Sequence, residues 1–277
     1  MKNILFCGNE KVFDGMLTTM LSIFKRTSSE EPITFFVFTM DVSHIREDYK
    51  SVTDSQIRFL DQLAKTYNSG HQVKKIDVTD TYNKEFASCP NEQCYCSPYT
   101  LIRLFADLYE EIPDKILYLD IDLLFNKDID LLYKIDIEDY EYAAARDHYG
   151  KFLVNPNFVN AGVLYFNMKM CRKTGLFEKS RQLIKTKKLT FADESAIIRS
   201  TTKKKMISQR FNDQKFLYKN TVIRHFSKRL FWLPYPHTDN IKQWKITKVH
   251  KIFGYENFDD ILYEYVYQKN KFERDWK

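Results

Sequence analysis

Short apolar runs alternate with amphipathic stretches along the first part of the chain. Ile4-Leu5-Phe6-Cys7 stops at Gly8-Asn9, which is typical of a buried strand that enters a loop. A helical pattern follows, with apolar residues spaced i, i+3, i+4, i+7 at Leu17, Met20, Leu21 and Phe24. Further strands are predicted at 33–38 and 73–78, with a helix between them at 53–67. This alternation predicts an α/β fold with a central, mostly parallel sheet flanked by helices.

The middle of the chain continues this order and reaches a pair of carboxylates. Ser97-Pro98 supplies an N-cap and a proline at the first helical position, which predicts a helix with the apolar stripe Leu101, Leu104, Phe105 and Leu108. Arg103 lies off that stripe, as a surface cation or a functional residue. A strand is predicted at 116–119, directly before Asp120-Ile121-Asp122, and others at 142–145 and 163–166.

The end of the chain differs from the rest in charge. No linker or repeat interrupts residues 1–225, so we predict one domain over 1–229 and an appended helical or extended region over 230–277. Residues 201–277 hold 17 Lys and Arg against 8 Asp and Glu, whereas residues 1–200 hold 26 against 29. This asymmetry indicates an anionic partner or, more commonly, a solvated face. No nucleic-acid recognition motif is present, so nucleic acid is not a predicted partner.

Glycine is scarce, with only 7 among 277 residues. The chain contains neither a G-x-x-x-x-G-K-[ST] nor a G-x-G-x-x-G sequence, so no glycine-rich loop is available to hold phosphates. If the protein binds a nucleotide, something else must neutralise its phosphates. A metal ion is the obvious substitute.

The apolar runs and the cysteines bear on where the protein is located and on its thiols. Met1-Lys2-Asn3 precedes only four clearly apolar residues, and no apolar run approaches the roughly 20 residues of a membrane span. We therefore expect a cytoplasmic protein, with peripheral contact at the inner face of the membrane left open. Three of the five cysteines, Cys89, Cys94 and Cys96, are predicted to be reduced thiols, since their spacing does not suit zinc and a fourth ligand is missing.

Asp120 and Asp122 follow a predicted buried strand, at the end where open α/β sheets bind their ligands. Alternate residues of an extended segment point to the same side, so both carboxylates can reach one divalent cation together with a diphosphate. An EF-hand is excluded because its sixth position would be Phe125 rather than glycine. A phosphohydrolase of the haloacid dehalogenase type, with Asp120 as nucleophile, remains an outside alternative.

Four motifs occur in a recognisable order, namely 116–119 with Asp120-Ile121-Asp122, Asn160-Ala161-Gly162, Ala192-Asp193-Glu194 and Ile223-Arg224-His225-Phe226. In this order they resemble the family 8 glycosyltransferases, over most of residues 1–230. The resemblance implies a GT-A, Rossmann-like fold, a UDP-hexose donor and a Mn²⁺ or Mg²⁺ ion. It also implies transfer with retention of the anomeric configuration.

The resemblance assigns roles position by position. It implies Asp120, Asp122 and His225 as metal ligands. It implies a donor site made by Cys7, Gly8, Asn9 and Val12 at the uracil and ribose, and by Arg103, Ile121, Asn160, Ala161 and Gly162 further along the donor. Asp193 and Glu194 are implied near the anomeric carbon, where Asp193 binds sugar hydroxyls and Glu194 stabilises an oxocarbenium-like charge or acts as a nucleophile. Front-face attack assisted by the leaving phosphate stays equally open.

The chain departs from the family pattern in three places. Gly8-Asn9 stands where a small residue and Asp are usual, and Asp193-Glu194 stands where Asp-Gln is usual. The histidine motif lacks the usual glycine, and its lysine is displaced. Lys228 or Arg229 is therefore expected to take over the contact with the diphosphate.

The function predicted is a retaining transferase that moves galactose or glucose from a UDP-sugar to a hydroxyl of a glycan, glycoprotein or glycolipid. The alternative is a catalytically idle module that binds a sugar nucleotide or a glycan, and the phosphohydrolase is a less favoured third reading. A donor screen with Mn²⁺ separates these.

Two readings of the C-terminal region stay open, with packing slightly favoured. Its aromatic residues alternate with Lys269, Lys271, Arg274 and Lys277 and would suit an anionic membrane surface that presents the acceptor. In the packing reading, a helix face made of Leu262, Tyr263, Val266 and Tyr267 covers the domain instead.

Overall fold

The computed structural model describes residues 1–92, 97–231 and 233–276. In chain order, its strands are β1 (Lys2–Cys7), β2 (Ile33–Thr39), β3 (Gln72–Asp77), β4 (Lys115–Leu119), β5 (Leu123–Phe125), β6 (Tyr142–Ala145), β7 (Val163–Asn167), β8 (Lys204–Ile207), β9 (Ile223–His225), β10 (Arg229–Phe231) and β11 (His237–Asp239). The α-helices are α1 (Phe13–Arg26), α2 (Asp54–Tyr67), α3 (Thr79–Phe86), α4 (Asp130–Tyr133), α5 (Gly150–Leu153), α6 (Met168–Thr174), α7 (Leu176–Thr186), α8 (Ala192–Ser200), α9 (Ile246–Lys248) and α10 (Asp259–Asp275). Glu10–Val12, Pro98–Leu108 and Gln209–Phe211 are 3-10 helices, and Val249–Phe253 is a π-helical turn.

A seven-stranded sheet in the order β3-β2-β1-β4-β7-β6-β8 forms the centre of the fold. β1 pairs in parallel with β2 and β4, β2 with β3 and β6 with β8, whereas β7 runs antiparallel to β4 and β6. The predicted mostly parallel sheet is confirmed. Because β1, β4 and β6 run the same way, their carboxyl ends meet at one edge, where ligands bind in open α/β sheets.

Both faces of this sheet are covered. Ile4 and Phe6 of β1 pack on the side of α1, whereas Leu5 and Tyr118 belong to a second cluster together with residues of the Pro98–Leu108 helix. Each face therefore takes alternate residues of the same strand, as the period of two requires. Near-continuous apolar strands such as β1 and β2 result, because neither face meets solvent.

The helix that follows Ser97 differs from its prediction. Ser97 caps it as expected, accepting a hydrogen bond from the Tyr99 amide, but the helix is 3-10 rather than α. Residues 98, 99 and 101–106 are all buried, so the helix is covered nearly all round rather than along one apolar stripe. Arg103 is buried, at 2% exposure, and the surface-cation reading is wrong. Leu108, predicted on the buried stripe, is exposed.

The C-terminal helix α10 packs on the domain, as the favoured reading expected, but through a different face. Phe272 lies with its ring 4.3 Å from that of Phe13 in α1 and 5.3 Å from that of Phe59 in α2. The buried side chains of α10 are Ile261, Leu262, Tyr265 and Phe272. Of the predicted face only Leu262 is buried, since Tyr263, Val266 and Tyr267 are exposed.

Cys94 and Cys96 lie outside the described residues, and Cys89 is partly buried. None of the helices that the structure describes combines the length and apolar character that a membrane span requires.

Candidate functional site

A cleft of 610 Å³ opens at the carboxyl ends of β1 and β4. The predicted donor residues Cys7, Gly8, Asn9, Val12, Ile121, Asn160 and Lys228 line it, together with Asp120, Asp122 and His225. Tyr99, Tyr118, Ser227, Asn240 and Lys242 also line it and were not predicted. The structure therefore brings together residues from the N-terminal loop, the D-x-D segment, the Asn160 loop and the C-terminal region.

Asp120, Asp122 and His225 offer one ligand atom each, and these three atoms lie within 4.8 Å of one another. β9 pairs antiparallel with β5 so that His225 stands opposite Leu123, next to the D-x-D segment. The Asp122 and His225 side chains are buried, whereas the side chain of Asp120 is about one third exposed towards the cleft. Oxygen and imidazole ligands in this number suit a divalent cation that keeps positions open for a substrate.

The hydrogen bonds of Asn212 determine which nitrogen of His225 faces the carboxylates. Asn212 donates through Nδ2 to Asn160 Oδ1 at 2.9 Å, so its Oδ1 is the atom that lies 2.9 Å from His225 Nδ1. Nδ1 therefore carries a proton, and Nε2 is the ring atom that faces Asp122 Oδ1, 3.0 Å away. In the neutral imidazole Nε2 is a hydrogen-bond acceptor. Two acceptors at this distance repel unless a cation or a proton lies with them. The donor set thus fits a metal ion, with Asn212 orienting its histidine ligand.

Gly162 explains how the ligands come so close. A Cβ atom at this position would lie 2.4 Å from His225 Cε1 and 2.9 Å from Asp120 Oδ2. The resemblance implied this glycine as part of the donor site. In the structure it gives room to two side chains of the candidate metal cluster.

Arg103 connects the cluster to the loops around it. Its guanidinium donates to the Ala161 carbonyl at 2.7 Å and lies 3.3 Å from Asp120 Oδ1 and 3.2 Å from Asp193 Oδ2. It also stacks on the Tyr118 ring at 3.8 Å from the centroid. Arg103 and Asp193 do not line the cleft but support it from behind, as a buried ion pair.

Glu194 holds the loop on the other side of Ala161. Its Oε2 accepts a hydrogen bond of 3.0 Å from the Ala161 amide. Burial is the main cause that raises the pKa of Glu194 to about 8, and Asp147 and Asp193 add to it. Burial also raises the pKa of Asp193, against the lowering effect of Arg103. Glu194 is therefore largely protonated at neutral pH.

Lys242 is one of the cleft residues that sequence reasoning missed. Its Nζ lies 2.5 Å from Asp122 Oδ2, and the neighbouring Gln243 donates to the Ile121 carbonyl at 2.8 Å. Residues 240–243 thus complete the cleft, although they follow the last recognisable motif. Lys228 lines the cleft, whereas Arg229 stacks against Phe231 and is not among the lining residues. No local pattern marks Lys242, because only the packing of the C-terminal region brings it to the site.

Known proteins are similar to this chain in sequence and in fold. A putative glycosyltransferase of Haemophilus influenzae is 26% identical over 188 residues, 64% of this chain and 52% of the relative. Glycosyltransferase GlyA of Streptococcus pneumoniae is 38% identical over 186 residues, 64% of this chain and 22% of GlyA. The chain therefore spans about half the length of the first relative and about a fifth of the second.

Among solved structures, two of LgtC superpose on the fold. A mutant in which an active-site Gln is replaced by Glu gives a TM-score of 0.65 at 18% identity, covering 94% of this chain and 100% of LgtC. The galactosyltransferase LgtC in complex with donor and acceptor sugar analogs gives 0.64 at 18% identity, with the same coverage. This likeness confirms the expected GT-A architecture.

The profile of glycosyl transferase family 8 matches residues 3–229. That range contains all three residues of the candidate metal cluster and ends before Lys242. By this match over most of its length, the chain belongs to glycosyl transferase family 8.

Proposed function

We propose that the protein transfers galactose or glucose from a UDP-sugar to a hydroxyl of a glycan, glycoprotein or glycolipid, with retention and with a bound Mn²⁺ or Mg²⁺ ion. The observation that carries the proposal is the convergence of Asp120, Asp122 and Nε2 of His225 in the cleft. The N-terminal loop with Gly8 and Asn9 lies beside this cluster and is not a glycine-rich phosphate loop, so the ion would neutralise the diphosphate instead.

The residues around the cluster have separate tasks in this proposal. The bound ion would supply a Lewis acid for the departing diphosphate. Lys242 would place a second positive charge beside it, because its ammonium already lies at Asp122 in the cleft. Cys7, Gly8, Asn9 and Val12 form the wall proposed for the uracil and ribose. Gly8 leaves room for Val12, whose Cγ1 would be 2.5 Å from a Cβ atom there.

A donor screen tests the proposal. We expect UDP release with Mn²⁺ from UDP-galactose or UDP-glucose and not from other nucleotide sugars, with water as a slow acceptor. EDTA should abolish it and added Mn²⁺ should restore it. Full release in EDTA would contradict the metal assignment, and tight UDP binding without any turnover would identify a catalytically idle module.

A measurement of UDP affinity in the presence of Mn²⁺ tests the role of Lys242. Lys242→Met should weaken UDP binding about tenfold, as expected for the loss of one charge-assisted contact, and keep the requirement for metal. Lys245→Met is the matched control, because Lys245 belongs to the same segment and does not line the cleft. Equal UDP affinity of both variants would remove Lys242 from the donor site.

Glu194→Gln tests whether Glu194 acts as a nucleophile or only accepts the hydrogen bond of the Ala161 amide. A neutral Gln keeps an acceptor for the Ala161 amide, and Glu194 is itself mostly neutral below pH 8. We therefore expect turnover at pH 7 to change less than about tenfold, whereas loss of a nucleophile would cost far more.

The same variant has an expected effect on stability. Since folding raises the pKa of Glu194 from 4.5 to about 8, the wild-type protein loses stability as the pH rises between these values and the variant does not. Thermal melts at pH 5 and pH 9 measure that difference, which should appear only at the higher pH.

A further inference from the structure

Two groups of large apolar side chains project into solvent around the mouth of the cleft. Phe152, Leu153 and Val154 in and after α5 are 77%, 80% and 60% exposed. Leu233 and Tyr235, in the turn between β10 and β11, are 83% and 66% exposed. These five residues are called the apolar rim below.

Both groups belong to segments whose ends line the cleft. β6 runs parallel to β4, so the loop from Arg146 to Asn160 leaves the same edge of the sheet as Asp120, and Asn160 at its end lines the cleft. The β10–β11 hairpin begins after His225, and Lys228 and Asn240 at its base line the cleft as well.

The first group lies on a loop that hydrogen bonds and packing hold in place. Asp147 Oδ1 accepts hydrogen bonds from the Tyr149 and Gly150 amides at 2.9 and 2.6 Å, which closes the base of the loop. Phe158 packs inward at 7% exposure, and a Cβ at Gly150 would lie 2.4 Å from its Cδ1. The loop therefore buries one aromatic ring while three consecutive apolar side chains face out. Contiguous exposed apolar groups of this kind mark a contact surface.

The segments around the apolar rim differ in charge from the C-terminal helix α10. Residues 148–158 and 226–238 contain no Asp or Glu, and they contribute Lys151, Lys228 and Arg229. The helix α10 carries five acidic residues, Asp259, Asp260, Glu264, Glu273 and Asp275, against three basic ones, Lys269, Lys271 and Arg274, and it packs on α1 through its buried face. An anionic partner is therefore more complementary to the rim than to α10.

We propose that the apolar rim inserts into the surface of an anionic lipid bilayer and turns the cleft towards it. Leu153, Val154 and Leu233 are aliphatic and suit the acyl boundary, while the flanking cations suit anionic headgroups. Combined with the proposed transferase function, on which this last step rests, the acceptor is a glycan presented on a lipid.

Vesicle co-sedimentation tests the surface. The full chain should bind phosphatidylcholine vesicles that contain about 30% phosphatidylglycerol, and bind pure phosphatidylcholine weakly. The triple variant Phe152→Ser, Leu153→Ser, Val154→Ser should lose at least about tenfold in binding. The matched control Tyr263→Ser, Val266→Ser, Tyr267→Ser removes three exposed apolar side chains of α10 and should bind within twofold of the wild type.

Several results would overturn the proposal. These are no binding by the full chain, equal binding by the triple variant, or an equal loss in the α10 control, which would point to the C-terminal helix. A dimer in size-exclusion chromatography that only the triple variant dissociates would assign the rim to a second copy of the chain. UDP release without vesicles should be the same in all variants, so a failed transferase assay with intact vesicle binding would refute the function and leave the rim standing.

Discussion

Asp122→Asn is expected to reduce transfer by about 1000-fold or more, the cost of removing metal-assisted stabilisation of a departing diphosphate. Although burial disfavours its charge, His225 and Lys242 hold the pKa of Asp122 far below its usual range. Asp122 is thus an anion throughout the neutral range and faces His225 Nε2 directly. An Asn of the same size keeps the volume but offers a neutral amide in place of the anionic ligand.

The measurement has two parts. UDP release with Mn²⁺ reports activity, and the rise of the melting temperature on adding Mn²⁺ with UDP reports binding, which Asp122→Asn should lose. Asp139→Asn, at an exposed position away from the cleft, is the matched control and should behave as the wild type. A variant that retains both the activity and the Mn²⁺-dependent shift would disprove the assignment of Asp122 as a ligand.

Arg103→Met is expected to lower the free energy of unfolding by about 3–5 kcal/mol and to abolish activity. The loss arises because Asp193, 5% exposed and 3.2 Å from Arg103, would keep a buried carboxyl without its partner. The Ala161 carbonyl and Asp120 would lose hydrogen-bond donors at the same time. Activity should be lost because the D-x-D segment and residues 160–162 would no longer be held in position.

A second substitution makes this expectation specific. In Arg103→Met combined with Asp193→Asn, the uncompensated carboxyl is gone, so urea unfolding should recover part of the lost stability while activity stays absent. Arg103→Lys keeps the charge but not the planar fork and should lie between the two in stability. If Arg103→Met unfolds at the wild-type urea concentration, the ion pair has no structural role.

Much of the fold and part of the site were predictable from local pattern. The strands at the start of the chain and before Asp120 are continuous apolar runs between turns, and these strands were placed correctly. The segment Asp120-Ile121-Asp122 needs only a period of two to turn both carboxylates one way. For Arg103 two readings stayed open, because its place off the apolar stripe fits a surface cation as well as a functional residue. Only the packing around nearly all of this helix buries it.

Contacts between residues far apart in the chain could not be predicted from local pattern. Which nitrogen of His225 faces the metal cluster depends on Asn212, and Asn212 depends on Asn160, two residues from separate loops. The buried face of α10 could not be read either. Its exposed side, with Tyr263, Val266 and Tyr267, is as apolar as a packed face would be.

The sequence by itself determined the α/β alternation and the two carboxylates at a strand end, and it predicted a metal ion in a chain without glycine-rich phosphate loops. These are local properties of spacing and composition. Only the tertiary structure decided that Gly162 makes room for His225 and Asp120, that Arg103 is buried against Asp193, and that Lys242 reaches Asp122. The reason is physical. A side chain's partner depends on the packing of elements far apart in the chain, and no spacing in the sequence records that packing.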